Sequence, residues 1–179
     1  MTESRVQKRT IQGVLLSGLV VSLLVAAGTT FKYVISGGKH PLRLLNFVAS
    51  GVFGQAAFQG EVATQMAVLG GVLHVTVSII WAILFFVLSS RIAILSKDWR
   101  LTGIGYGILI WVGMAFVVLP LSNTPPIPFE ITNAAIDILL ITVCAGFPIS
   151  FVAHKYGPLH RDMSLAQPTQ EGSDTRDRV

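Results

Sequence analysis

Charge is scarce in this chain. Lys and Arg number 13 and Asp and Glu 9, together 12% of 179 residues, where a soluble domain carries roughly a quarter. Between Glu61 and Arg91 there is no Lys, Arg, Asp or Glu at all. Cysteine is almost missing. Cys144 stands alone, which excludes an intramolecular disulfide and the cysteine-rich metal motifs. Histidine is sparse too: of His40, His74, His154 and His160, only His74 falls inside a long apolar run. No second histidine lies four residues from it, so neither a paired haem site nor a histidine metal pair has support. No metal and no cofactor is therefore expected.

Other chemistries are missing for the same kind of reason. Gly103, Gly105 and Gly107 lack the preceding strand and the spacing of a dinucleotide-binding turn. Ser36 or Ser78 can be written beside His74 and Asp137 as a triad, but no nucleophile elbow surrounds either serine. The formal charge of +4 comes with no aromatic-and-basic RNA motif, so no nucleic acid partner is expected. The basic loops instead fit an anionic membrane leaflet.

What the chain does have is apolar length. Hydrophobic residues make up 52% of it, and the mean hydropathy is +0.68. They gather in four blocks, about 11–35, 62–89, 101–121 and 131–152, each near or above the roughly 20 residues that cross a bilayer. The expected fold is all-α: a polytopic four-transmembrane-helix bundle whose principal surroundings are the lipid bilayer. The basic start, Arg5, Lys8 and Arg9, followed by an apolar run also has the form of a signal peptide, with Val25-Ala26-Ala27 as a cleavage site. The run continues through Phe31 to Ile35, which fits an uncleaved span better. Gly18, Ser22 and Ala26 recur at every fourth position, a spacing suited to close helix packing.

Residues 41–58 predict one further helix. Gly37 and Gly38 end the first span, and Pro41 is placed to start another helix. Leu42, Leu45, Ala49, Val52 and Ala56 then share one face, with Arg43, Asn46 and Ser50 on the other. This helix can lie in the interface, dip in as a re-entrant segment, or span. Charge decides against spanning. With four spans, residues 1–10, the Arg91–Arg100 link and a polar, disordered tail at 157–179 share one side, which then holds ten of the 13 Lys and Arg. The positive-inside rule makes that side cytoplasmic, with both termini in it and a cytoplasmic (inner) membrane around the spans.

Two groups of residues stand out inside the membrane. The first is polar. Asp137 costs up to roughly 3 kcal/mol at a span centre, and less off-centre. It is expected to face the bundle interior along a stripe with Asn133, Cys144 and Pro148. The four-span topology sets Lys32 at a similar depth, with His74 below. A polar cluster of Lys32, His74, Asp137 and Asn133 opening beneath the Pro41 helix is therefore a candidate ligand site. The simpler alternatives are a snorkelling Lys32 and buried hydrogen bonds that fix helix register. The second group is small. Ala67 with Gly71, and Gly103 with Gly107, form small-xxx-small ridges for helix packing. No catalytic residue is expected.

The layout resembles small uncharacterised four-helix inner-membrane proteins of bacteria, the YagU-like group among them. The resemblance rests on VLHVTVSIIWAILFFVL in the second span, SNTPPIPF outside the membrane, and WRLTGIGYG leading into the third span. It covers residues 11–152 by layout and implies no activity. The Pro41 helix has no counterpart in it. The expectation is thus a non-enzymatic membrane protein with a structural, accessory or interaction role, as a homo-oligomer or with a membrane-protein partner. A small transporter or ligand-binding protein, and a lipid-modifying enzyme at the outer interface, are the other classes considered.

Overall fold

Four helices are long and apolar enough to cross a bilayer, and they set the architecture. In the computed structural model, residues 3–92, 95, 98–126 and 128–156 are described. The expected tail at 157–179 lies outside them. Helix α1 spans Glu3–Ile35. The short α2 spans Leu42–Phe53, followed by 3-10 turns at Gly54–Phe58 and Gly60–Val62. Helices α3, α4 and α5 span Ala63–Arg91, Trp99–Leu121 and Ile131–Tyr156. No strand occurs among the described residues. The chain is an all-α polytopic bundle.

The helix ends follow local chemistry. At the end of α1, Gly38 N–H reaches Tyr33 C=O (2.9 Å) and Gly37 N–H reaches Val34 C=O (3.0 Å). This is a Schellman closure, and it needs the left-handed backbone that Gly37 supplies at φ +88°. Gly54, at φ +59°, stops α2. Helix α4 starts on Asp98, whose carboxylate accepts from Arg100 N–H at 2.8 Å. Both α4 and α5 contain a widened π turn, at Met114–Val118 and Thr142–Gly146. Each lies just before a proline, Pro120 or Pro148. A proline ring collides with the carbonyl four residues back, and a widened turn relieves that collision. At Pro148 the helix is thus widened at Thr142–Gly146.

Helix α5 is central and packs on α1, α3 and α4. Its crossing with α4 is backbone-close. A Cβ on Gly146 would sit 2.1 Å from Gly103 O, and one on Gly107 would sit 2.5 Å from Thr142 Cα. Gly103 and Gly107 thus contact a neighbouring helix of the same chain. Helices α1 and α3 cross at Gly18, where a Cβ would sit 2.7 Å from Ile79 Cγ1. The core between the helices holds Val21, Phe85, Tyr106, Ile110, Ala145 and Ile149. Tyr106 O–H donates to Trp81 C=O at 2.6 Å, so its hydroxyl is satisfied among apolar neighbours. Outside, the bundle is an apolar belt: Leu23, Val68, Leu101 and Leu139 are each 65–72% exposed. Water would penalise such a surface, whereas hydrocarbon does not.

The two ends of the bundle differ. At one, the start of α1 meets the ends of α3 and α5, since Gly13 lies against Phe86 and Tyr156. Trp99 joins them by edge-to-face contact with Phe147 and Phe151. This terminal end carries Lys8, Arg9, Arg91, Arg100 and Lys155. The opposite, loop end holds the close of α1, all of α2 and the proline-rich connection before α5. At about 18 Å, the 12 residues of α2 are too short to cross a hydrocarbon core of about 30 Å.

Candidate functional site

The loop end gathers most of the polar groups that sequence reasoning singled out, and α2 organises it. Packing divides α2 differently from the two faces read from the sequence. Its buried residues are Asn46, Ala49 and Ser50, while Leu42 and Val52 are exposed. The reason is the solvent. In lipid the small and polar stripe gains by facing a neighbouring helix, and the leucines gain nothing by hiding.

Asn46 anchors α2 to the start of α3. Its side-chain amide donates to Ala57 C=O at 2.6 Å and to Ala63 C=O at 2.9 Å. Close approach follows about two turns later on α3. A Cβ on Gly70 would lie 1.9 Å from Leu45 O, so only glycine fits there. Gly70 therefore does the packing expected of Gly71, whose Cβ would meet nothing within 4 Å. One residue turns a helix by 100°, enough to exchange a packed face for an open one. Ala67, 3% exposed, is buried as expected. The connection before α5 also docks on α2. Asn123 gives its backbone N–H to Gly51 C=O (3.0 Å) and its side-chain amide to Val52 C=O (3.1 Å). These bonds satisfy last-turn carbonyls that a helix leaves open.

Lys32 and Asp137 meet. Lys32 Nζ donates to Asp137 Oδ1 at 2.6 Å, with the side chains 23% and 39% exposed. The seam beneath them explains the contact. One turn down α1, Gly28 lets the helix approach Leu140 and Cys144 of α5. Lys32, four residues on from Gly28, is then carried opposite Asp137, three residues before Leu140. An ion pair at this depth spares each charge the cost of facing hydrocarbon alone.

His74 and Asn133 do not join them. His74 Nε2 donates to Ser22 C=O at 3.1 Å. A carbonyl only accepts, so Nε2 carries the proton. Ser22 lies ten residues before Lys32, about 15 Å along α1. Asn133 is exposed and donates to Glu130 Oε2 at 2.5 Å, one turn from Asp137. The expected four-residue cluster is thus one ion pair and two separate hydrogen bonds. The buried face of α5 runs through Thr142, Ala145, Gly146, Ile149 and Ser150, to one side of the expected stripe of Asn133, Asp137, Cys144 and Pro148.

Two cavities flank the first turn of α2. A groove of about 380 Å³ separates it from α1, walled by Val25, Ala26 and Thr30 on one side and Leu44 and Val48 on the other, with His74 also lining it. A notch of about 350 Å³ on the other side is lined by His40, Arg43, Phe58 and Thr64. Pro41 and Leu42 line both. The described residues contain no group of three or more His, Cys, Asp or Glu placed to hold a metal.

Asn46, Gly70 and Asn123 escaped sequence reasoning. The spacing of Asn46, Ala49 and Ser50 carried a usable signal: small and polar residues at i, i+3 and i+4 mark a packing face in lipid. Gly70 and Asn123 gave no local signal. Comparison with known proteins finds no matching family model, no matching curated protein and no matching solved structure.

Proposed function

We propose that this chain is a non-enzymatic multi-pass protein of a bacterial cytoplasmic membrane, with a structural or accessory role exerted through contacts within the bilayer. One observation carries the reading: the polar groups inside the bundle are spent on the fold. Lys32 holds Asp137, His74 holds Ser22 and Asn46 holds two carbonyls. Among the described residues, no buried side-chain nitrogen or oxygen lacks a partner. Groups spent in this way fix helix positions; a reaction or a transport path needs groups left free. The terminal end, with its excess of Lys and Arg, suits the cytoplasmic face. The resemblance in layout to the YagU-like group, read from the sequence, points to the same membrane.

The ion pair supplies the test. If Lys32 and Asp137 serve only to hold α1 on α5, a Lys32→Met/Asp137→Leu double variant folds with thermal stability near that of the parent in mild detergent. The single Asp137→Leu variant, which strands Lys32, melts earlier by the equivalent of about 1–3 kcal/mol. A double variant as damaged as the single one overturns the structural role of the pair.

A further inference from the structure

We propose that the groove between α1 and α2 holds one anionic glycerophospholipid from the leaflet at the loop end. Its acyl chain lies in the groove and its phosphodiester is gripped by Lys39, His40 and Arg43. The inference rests on reading the chain as membrane-embedded, and it names a partner for that reading.

Packing supplies the first reason. Helix α2 is fastened to α3 by Asn46 and Gly70 but stands off from α1, leaving the 380 Å³ groove. This is the size of a small-molecule site. Its surface is mostly apolar, with Thr29, Thr30 and His74 as the polar side chains in its lining. Surrounded by lipid, an apolar cleft that opens sideways fills with hydrocarbon, because close packing gains dispersion contacts that an empty gap forfeits. From Thr30 down to Val25 the groove follows six residues of α1, a rise of about 7.5 Å, the upper part of one acyl chain.

Charge supplies the second reason. Lys39, His40 and Arg43 fall within five residues, and all three are exposed. Unlike Lys32, none has a side-chain hydrogen bond or ion pair among the described residues. Glu61 is the only acid between residues 36 and 64. Helix α2 has no acid in its first turn and no side chain capping its start, so the positive end of its dipole adds to the same field. The notch, lined by His40 and Arg43, and the apolar groove meet at their shared wall, Pro41 and Leu42. A molecule with an anionic head and a hydrocarbon tail matches both sides of that wall.

Native mass spectrometry of the full chain in mild detergent tests this with three probes: phosphatidylglycerol, phosphatidylcholine with the same chains, and glycerol phosphate. The expected result is one retained phosphatidylglycerol, with phosphatidylcholine weaker and glycerol phosphate not retained. Arg43→Gln lowers phosphatidylglycerol affinity about fivefold, the effect of one cation at a membrane surface, and leaves phosphatidylcholine unchanged. A Thr30→Cys variant in a Cys144→Ser background, alkylated after folding with a bulky maleimide, fills the groove in an intact protein and removes both lipids. Retention of glycerol phosphate as tight as that of the lipid overturns the inference in favour of a bare phosphate site. Lipid binding indifferent to the alkylation overturns it as well. So does a disulfide between the Thr30→Cys residues of two copies, which would place a second chain in the groove. None of these failures touches the stability of the Lys32→Met/Asp137→Leu variant, which tests the functional reading separately.

Discussion

A single methyl group distinguishes the roles of Gly70 and Gly71. Alanine at Gly70 would place its Cβ 1.9 Å from Leu45 O, whereas at Gly71 it would meet open space. Gly70→Ala is therefore expected to push α2 off α3 and to cost about 1–3 kcal/mol, the usual range for overpacking. Gly71→Ala should stay within about 0.5 kcal/mol of the parent. Thermal unfolding of the two variants in the same detergent decides it, and a larger loss at Gly71 would refute the packing described for α3. At this scale the sequence was only partly legible. The ridge was visible in composition, but its register was not, because adjacent residues differ by 100° around the helix. The same limit applies to the polar residues. Depth along a span follows from counting, so Lys32 and Asp137 could be matched in level; azimuth does not, so His74 could not be assigned to Ser22.

Helix α2 shows what an element borrows from its neighbours. Its length and start are local matters, fixed by the Gly37 closure, Pro41 and the Gly54 stop. Its orientation is not, since the buried stripe of Asn46, Ala49 and Ser50 is chosen by α3 and by lipid together. Asn46→Leu tests that dependence. Losing the amide leaves the Ala57 and Ala63 carbonyls without this donor, which costs about 1–3 kcal/mol. Hydrogen exchange should then quicken across residues 42–58 and remain unchanged in the α4–α5 seam around Gly103 and Gly146. Uniform quickening through all helices would mean that α2 is not a separately fastened element. The π turns before Pro120 and Pro148 belong to this scale too. A proline predicts a disturbance, but whether the helix kinks or widens depends on how closely its partner crosses. Here α4 and α5 are locked at Gly103, Gly107 and Gly146.

For the whole molecule, the start of α1 and the end of α5 lie at one end of the bundle, and the proposal that this end is cytoplasmic rests on its Lys and Arg. Labelling of intact cells with a membrane-impermeant thiol reagent, in a Cys144→Ser background, is expected to modify Lys39→Cys from outside and to spare Lys155→Cys until the membrane is opened. Labelling of Lys155→Cys in intact cells would invert the proposed orientation. The all-α class and the four helices long and apolar enough to cross a bilayer were determined by the sequence alone. They depend on apolar length against bilayer thickness, a property that runs along the chain and needs no neighbour. The tertiary structure decided the rest: that Gly70 rather than Gly71 is packed, that α2 faces inward with its polar stripe, that Lys32 takes Asp137 while His74 takes a backbone carbonyl, and that a groove opens between α1 and α2. Each of these depends on the angle at which one helix meets another. That angle is set by contacts between residues far apart in the chain, and no local pattern encodes it.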